Sequence, residues 1–159
     1  MHKARNELQT PRRLDLEMQD LARGYIASGE FNGYRTPQHI QNQVIKLYCD
    51  TNDLRFVLSR AEYWINGSTK CQLWAALNED FKHIVFYSLW QLPNDKLERR
   101  KVYQHCLENN ITLHFATERM RTNNDRSSFA DIETLMQSNL LILEDNGYAD
   151  HFELLQKLI

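Results

Sequence analysis

Residues 83–89 read HIVFYSL, and the rest of the predicted fold can be built outward from this stretch. It is a short apolar run rich in β-branched and aromatic residues, which predicts a buried β-strand. Pro93, Asn94 and Asp95 break the run and begin a helix, and another apolar strand (ITLHFA) follows at residues 111–116. A strand, a helix and a second strand with short connections are typical of a right-handed crossover between parallel strands.

The same alternation of strand and helix precedes this unit in the chain. Residues 24–28 (GYIAS) and residues 54–58 (LRFVL) each predict a short strand. Thr36 and Pro37 predict a helix N-cap followed by a first-turn proline, and Ser68 predicts the cap of a shorter helix. We therefore expect a three-layer α/β domain of the flavodoxin-like type, with a mainly parallel sheet of four or five strands.

Both ends of the chain differ from this alternating region. Residues 1–22 carry charges of both signs and one marginal helical pattern, so we interpret them as a partly helical N-terminal arm. Residues 23–159 then form a single α/β domain. Near its end, Ser128 and Asp131 predict a capping box at the start of a helix, while residues 139–144 fit either a continuation of that helix or an edge strand.

The composition excludes several classes of function. The chain has 159 residues with 19 Lys and Arg against 21 Asp and Glu, and its formal net charge of −2 argues against a protein built to hold nucleic acid. No apolar run approaches the roughly 20 residues that a membrane-spanning helix needs, so we expect no membrane insertion. The three cysteines are far apart and fit reduced thiols in a cytoplasmic protein. The sequence contains no metal-ligand spacing and no dinucleotide or Walker motif, so we expect neither a metal nor a cofactor.

Candidate binding residues follow from the rule that open parallel sheets bind ligands beyond the carboxyl ends of their strands. The polar residues in such positions are Ser28, Asn32, Tyr34, Arg35, Gln38, Tyr63, Ser88 and Gln91. The loop before the first helix is the most informative part, because backbone N–H groups at a helix start and a nearby arginine can bind an anion. An ordinary strand-to-helix turn with Arg35 on the surface is the alternative interpretation.

Three residues near the predicted strand ends are candidates for catalysis. Glu62 and Glu118 could serve as a general acid and a general base if they face one cleft, although carboxylates at such positions are also commonly only solvated. His114 lies within an apolar strand, where the alternatives are a histidine of the core and a proton-transfer group. Arg99 and the two basic residues that follow it are interpreted as a solvated helix face.

The order of these elements resembles the catalytic domain of the serine recombinases, the resolvase and invertase family. Residues 25–28 (YIAS) stand where that family has Y-x-R-V-S, and residues 89–94 (LWQLPN) stand where it has L-D-R-L-x-R. The resemblance implies a resolvase-like fold and places Ser28 near the position of the nucleophile. Gln91 and Asn94 replace two of the family's arginines, and an apolar residue replaces a third. We therefore expect the fold without recombinase activity.

A closer resemblance is to the "sporadic carbohydrate cluster" family, whose genes lie among those for lipopolysaccharide and other surface sugars. The matching blocks lie at residues 24–26, 31–35, 37–38, 41–42, 58–59, 62–63, 87–89, 91–93, 113–116 and 118. The resemblance implies a cytoplasmic role in making or modifying an activated sugar, and it carries no established reaction.

Three functional hypotheses follow. The first is a cytoplasmic protein of surface-carbohydrate biosynthesis, of lipopolysaccharide or O-antigen type, which binds or modifies a phosphorylated or carboxylated sugar or a nucleotide sugar. Arg35 and the amides near Gln38 would hold the anion, while the reaction class, and whether the protein is an enzyme, stay open. The second hypothesis is a non-catalytic binding or regulatory module that dimerises through its C-terminal helices. The third, nucleic-acid cleavage, is disfavoured by the charge and by the missing arginines.

Overall fold

The computed structural model describes residues 20–31, 33, 35–63 and 70–145, with side chains as far as residue 138. These residues form one five-stranded sheet. Its strands are β1 (Leu21–Ala27), β2 (Arg55–Glu62), β3 (His83–Phe86), β4 (Thr112–Phe115) and β5 (Met120–Arg121). They lie in the order β2-β1-β3-β4-β5, with the first four parallel and β5 antiparallel to β4. The predicted mainly parallel sheet is confirmed.

Four α-helices within the described residues cover the two faces of this sheet. They are α1 (Gln38–Thr51), α2 (Cys71–Leu77), α3 (Lys96–Asn109) and α4 (Arg126–Asp145). Right-handed crossovers place α1 on one face and both α2 and α3 on the other, because the chain crosses the sheet in opposite directions before and after β2. α4 packs beside α3 in the same core. The predicted three-layer α/β fold is therefore confirmed, and none of these helices is long and apolar enough to cross a membrane.

Each face of the sheet has its own apolar core. On the face that α2, α3 and α4 cover, the rings of Tyr25, Phe86 and Phe115 form a row across β1, β3 and β4, with centroids 5.0 and 5.4 Å apart. The smaller core beneath α1 includes Ile26 and Ile45. Neighbouring residues of a strand thus enter different cores, as expected for a sheet that is buried on both sides.

The first strand begins earlier than the sequence predicts. β1 starts at Leu21 rather than at residue 24. It pairs with β2 from Leu21 onward and with β3 from Ala22 onward. Ala22, which we assigned to the arm, is fully buried beneath α1. Residues 1–19 lie outside the described part of the chain, so the division into arm and domain stays a prediction.

The third strand is shorter than its apolar run. β3 ends at Phe86, and Leu89–Gln91 form a 3₁₀ turn instead of continuing the strand. The cause is Ser88, whose side chain accepts the N–H of Trp90 and caps this turn. The chain after β3 therefore leaves the sheet at its carboxyl edge, where ligands are expected.

The starts of α1 and α3 can be compared with the helix starts that the sequence predicts. The helix predicted to begin at residues 93–95 does so, and Asp95 is its N-cap, since its carboxylate accepts the N–H of Glu98 at 3.0 Å. Thr36 does not cap α1. Pro37 occupies the N-cap position, α1 begins at Gln38, and among the described residues no side chain caps this start.

The start and the end of α4 also depart from the sequence pattern. The predicted capping box of Ser128 and Asp131 is wrong, because Asp125 accepts the N–H of Ser128 at 2.8 Å and the helix has already begun by then. Residues 139–144 continue the helix, which decides between the two alternatives left open. Ser68, the predicted cap of α2, lies outside the described residues.

The buried face of α3 contains an arginine. Arg99, Val102, Tyr103 and Cys106 share that face at the spacing i, i+3, i+4 and i+7, and all four are buried. Arg99 is 1% exposed, so its interpretation as part of a solvated face is wrong. The interpretation holds for the next residue, Arg100, which is exposed.

Gly24 lies at a β-bulge that gives a testable consequence. The register pairs Ala22 with Phe56 but Gly24 with Ser59, so β2 has one extra residue here. A Cβ atom at Gly24 would collide with the side chain of Ser59 and stand 2.8 Å from Cε2 of Phe56. We expect Gly24→Ala to lower the free energy of unfolding by about 1–3 kcal/mol, as overpacked sites do, in urea titrations.

A double-mutant cycle checks that this loss comes from the collision. Ser59→Ala removes the hydroxyl nearest to the added methyl group, although it also removes a hydrogen bond to Asn42. The double variant is therefore expected to lose less stability than the two single variants together. Strict additivity would show that crowding at Ser59 is not the cause.

Candidate functional site

An open cleft of about 340 Å³ lies beyond the carboxyl ends of β1, β3 and β4, within the range typical of small-molecule sites. The described residues that line it are Phe31, Thr36, Tyr87, Ser88, Trp90, Thr117 and Glu118. The strand order reverses between β1 and β3, and ligands of open α/β sheets bind at such a switch point. The cleft is therefore the candidate functional site.

Glu118 is held in the turn between β4 and β5 by two hydrogen bonds. Oγ of Ser88 donates to its Oε1 at 2.7 Å, and the backbone N–H of Leu89 donates to its Oε2 at 3.1 Å. An ionised carboxylate can accept about four hydrogen bonds, so Glu118 can still accept from a ligand in the cleft. Ser88 is only 3% exposed and also caps the 3₁₀ turn, so it positions Glu118 rather than offering a nucleophile.

Three partly exposed aromatic rings accompany this carboxylate. The rings of Phe31 and Tyr87 meet nearly edge to face, with centroids 5.8 Å apart and planes inclined at 69°. Trp90 lines the same cleft from the 3₁₀ turn after β3. Exposed ring faces can pack on the apolar side of a ligand ring, while Glu118 accepts hydrogen bonds from its polar substituents.

A buried amide network supports the cleft from behind. Gln41 has no exposed surface, and its Nε2 donates to the carbonyl groups of Thr36 and Ala27 at 2.7 and 2.8 Å. Its Oε1 accepts the N–H of Ala27 at 3.1 Å and Nε2 of Gln91 at 2.8 Å. Oε1 of Gln91 accepts the N–H of Ser88 at 3.3 Å. The network ties the loop after β1 to the turn after β3, and the sequence reasoning did not include Gln41 among the candidates.

The start of α1 adjoins the cleft and retains the features that the predicted anion site requires. Thr36 lines the cleft two residues before α1 begins at Gln38, and Arg35 beside it is exposed. The first N–H groups of a helix have no acceptor within the helix, and no described side chain caps α1. Asn32 and Tyr34, predicted in the same loop, lie outside the described residues.

Glu62 is directed away from the cleft. Its Oε2 accepts the hydroxyl of Tyr25 at 3.1 Å and the N–H groups of Gln72 and Leu73 at 2.9 and 3.2 Å, so it caps the start of α2. Burial, followed by the charge of Glu62, raises the pKa of Tyr25 well above its usual range. Three strand spacings, about 14 Å, separate β2 from β4, and Glu62 does not line the cleft. The two carboxylates do not share a cleft.

The remaining binding candidates take different positions. Ser28, at the end of β1, is half-buried, and its N–H donates to the carbonyl of Glu62 at 2.9 Å. Tyr63 is 70% exposed directly after β2, away from the described lining of the cleft. Gln91 is 1% exposed and belongs to the amide network. Of the predicted binding residues that the structure describes, Ser88 therefore lines the cleft and Gln91 supports it.

His114 lies in the core beneath α1. Its Nδ1 is 2.8 Å from the hydroxyl of Tyr48, and its Nε2 is 3.0 Å from Nδ1 of His83. Burial, followed by the charges of His83 and Arg121, lowers the pKa of His114 to about 3. These contacts favour a neutral core histidine over a proton-transfer group at the cleft.

Comparison with known proteins adds a likeness in fold. No protein-family model and no curated protein matches the sequence. The structure is similar to a resolvase family site-specific recombinase from Streptococcus pneumoniae, with a TM-score of 0.49 and 12% identity over 83% of this chain and 99% of that one. A likeness of this size assigns no activity to the chain. The comparisons give no support to the expected resemblance to the sporadic carbohydrate cluster family.

Proposed function

We propose that this protein binds a phosphorylated or carboxylated sugar, or a nucleotide sugar, in the cleft at the carboxyl edge of the sheet. The observation that carries the proposal is the carboxylate of Glu118, which Ser88 and Leu89 position among partly exposed aromatic rings. A role in cytoplasmic surface-carbohydrate biosynthesis is the wider form of the proposal, and its support is the sequence resemblance described above.

The chemistry of the cleft suits a ring that carries several hydroxyl groups. A carboxylate accepts hydrogen bonds from hydroxyls, and Trp90 or Tyr87 can pack on the apolar face of the ring. Thr36 connects this region to the uncapped start of α1, where Arg35 and backbone N–H groups can pair with a phosphate or a carboxylate. The two ends of such a ligand would thus meet two different kinds of partner.

The geometry supports binding more strongly than catalysis by paired carboxylates. Glu62 is engaged at the start of α2, and His114 is buried beneath α1. Glu118 is therefore the one member of the three predicted catalytic residues that lines the cleft, and an acid–base step would depend on it alone. A non-catalytic module that dimerises through its C-terminal helices stays the alternative, which light scattering would detect.

Nucleic-acid cleavage is less well supported. Gln91 occupies a position where the recombinase resemblance leads one to expect an arginine, and its amide is buried against Gln41 rather than free to meet a phosphate. At the next such position, Asn94 is exposed, and its carbonyl accepts a hydrogen bond from Arg99 at 2.7 Å. A phosphodiester would find no guanidinium at either place.

Thermal unfolding with a panel of sugar phosphates and nucleotide sugars tests the proposal. We expect one class of ligand to raise the melting temperature, since a ligand at 100 times its Kd adds about 2.7 kcal/mol to the free energy of unfolding. Glu118→Gln is expected to weaken the binding of that ligand class by about tenfold, because it removes one charge-assisted hydrogen bond. Arg35→Ala should weaken the binding of anionic ligands but not the binding of an uncharged sugar.

Matched variants elsewhere on the surface serve as controls. Glu108→Gln changes an exposed carboxylate on α3, and Arg55→Ala removes an exposed arginine at the opposite edge of the sheet. Both are expected to bind like the unaltered protein. A panel without any thermal shift contradicts the proposal, as does unchanged affinity in both Glu118→Gln and Arg35→Ala.

A further inference from the structure

A second groove lies beside the cleft, across the turn that joins β4 to β5. It has a volume of about 540 Å³ and runs between α1 and the end of β4. The described residues that line it are Val44, Leu47, Tyr48, Thr51, Asn52, Ala116, Thr117 and Arg119. Thr117 lines both cavities, so the groove and the cleft are neighbours, but none of the candidate binding residues that the structure describes lines the groove.

One wall of the groove is apolar. Leu47 is 67% exposed on α1, and Val44 lies one helical turn before it on the same wall. Ala116 lines the facing side at the end of β4. Covering an exposed leucine with an apolar group is favourable, so this wall can contribute to the affinity for an apolar ligand.

One arginine lines the sheet side of the groove, and a second lies two residues further along the chain. Arg119 lines the groove directly, whereas Arg121 lies outside its described lining and pairs in register with His114 on β4. Directly opposite residues of an antiparallel pair share a face, so Arg121 lies on the face that α1 covers. This agrees with the electrostatics of Tyr48, whose pKa is raised by burial and lowered in part by the charge of Arg121.

The positive charge of these arginines is not balanced nearby. In the described part of the chain, neither guanidinium takes part in a salt bridge, and the described lining of the groove contains no carboxylate. Glu118 is adjacent in sequence to Arg119, but its carboxylate is bound to Ser88 and Leu89 on the other side of the turn. The groove thus combines an apolar wall with one uncompensated cation in its described lining, Arg119, and a second, Arg121, on the same side of the sheet as α1.

We infer that this groove binds an amphiphilic phosphate monoester, whose apolar chain packs on Leu47 and Val44 and whose phosphate pairs with Arg119 and Arg121. Guanidinium groups bind phosphate oxygens through two parallel hydrogen bonds, and two of them match the double negative charge of a monoester. The inference does not depend on the sugar ligand proposed for the cleft.

Isothermal titration of the full chain with octyl phosphate tests this inference. We expect saturable binding, with inorganic phosphate and 1-octanol each binding at least about tenfold more weakly, because each lacks one of the two recognised groups. Leu47→Asp is expected to abolish binding, since it removes the apolar contact and adds a negative charge. Arg119→Gly and Arg121→Gln should each weaken it about tenfold. Glycine suits the left-handed φ of 53° at position 119, so the first of these variants should fold.

Two matched variants on the opposite side of the molecule provide the controls. Leu97→Asp changes a leucine of α3 that is 63% exposed, and Arg100→Gln changes an exposed arginine of the same helix. Both are expected to bind octyl phosphate normally. Equal binding of 1-octanol, equal binding of inorganic phosphate, or normal binding by Leu47→Asp would each overturn the inference.

The two proposals can fail separately. If the unaltered protein binds octyl phosphate but no member of the sugar panel, the groove site stands and the function proposed for the cleft fails. If it binds a member of the sugar panel but not octyl phosphate, the groove site fails and the proposal for the cleft stands.

Discussion

Replacing Arg99 by methionine is expected to lower the free energy of unfolding by about 3 kcal/mol, near the lower end of the range for breaking a buried ion pair. Nε and Nη2 of Arg99 donate to the two carboxylate oxygens of Glu133 at 2.8 and 2.7 Å. Its Nη1 donates to the carbonyl groups of Pro93 and Asn94 at 3.0 and 2.7 Å. Methionine fills much of the same space but removes the charged partner of Glu133, which keeps only its hydrogen bonds from Tyr103 and Gln137, and it removes this donor from two carbonyl groups.

The neighbouring arginine provides the control for this prediction. Arg100 is exposed, so Arg100→Met should change stability by less than about 0.5 kcal/mol. Urea titrations measure the free energy of unfolding of both variants. In thermal unfolding, Arg99→Met should lower the melting temperature by roughly 10 °C. Adding Glu133→Leu to Arg99→Met is expected to recover part of the lost stability, because it removes the carboxylate that no longer has a charged partner. Equal effects of Arg99→Met and Arg100→Met would contradict the proposed role of the buried pair.

The same pair makes stability depend on acid. Burial raises the pKa of Glu133, but the opposing effect of hydrogen bonds from Arg99, Gln137 and Tyr103 is larger. The pKa of Glu133 therefore lies below its usual value. A carboxyl group with a lowered folded-state pKa stabilises the fold above its unfolded pKa, and this contribution is lost as the pH falls through the folded pKa. Arg99→Met should reduce that acid sensitivity, which titrations repeated at low pH would show.

The burial of Arg99 also marks a limit of prediction from sequence. Apolar periodicity was sufficient to predict the four parallel strands and their helices, because each buries a regular pattern of residues. Arg99 occupies an inward position of α3, but a rule based on apolar residues assigns an arginine to solvent. Its partner Glu133 lies 34 residues further along, and no local pattern connects the two.

The candidate site shows a similar division. The rule of strand ends selected Ser88 and Glu118, which line the cleft, because it depends only on the direction of the strands. It also selected Glu62, which does not line the cleft, because strand order and the face of the sheet determine which strand-end residues meet. Gln41 was missed because it lies on a helix, although a polar residue at an inward helical position is a usable signal.

Lowering the pH from 7 to 5 is expected to remove about 2 kcal/mol of stability through His114 alone. The reference pKa of histidine is about 6.5, and the pKa of His114 in the folded protein is about 3. Between these values the unfolded chain binds a proton that the folded chain does not. The contribution is therefore complete above about pH 6.5 and decreases by about 1.4 kcal/mol for each pH unit below it.

The surroundings of His114 explain why the fold rejects this proton. The neutral ring is satisfied when the hydroxyl of Tyr48 donates to Nδ1 and the Nε2–H donates to Nδ1 of His83. A positive ring would be 2% exposed, next to a second histidine on β3 and opposite Arg121 on β5. No carboxylate forms a hydrogen bond with His114 among the described residues, so its charge would be uncompensated.

His114→Gln removes this titration while keeping a side chain that can accept from Tyr48 and donate to His83. The variant is expected to be less stable at every pH. Between pH 7 and pH 5, however, its free energy of unfolding should fall by about 2 kcal/mol less than that of the unaltered protein. His39→Gln changes an exposed histidine of α1 and should retain the full loss. Because the comparison uses a difference between two pH values, the general cost of the substitution cancels. An equal loss in His114→Gln and the unaltered protein would show that His114 is not the buried group that resists protonation.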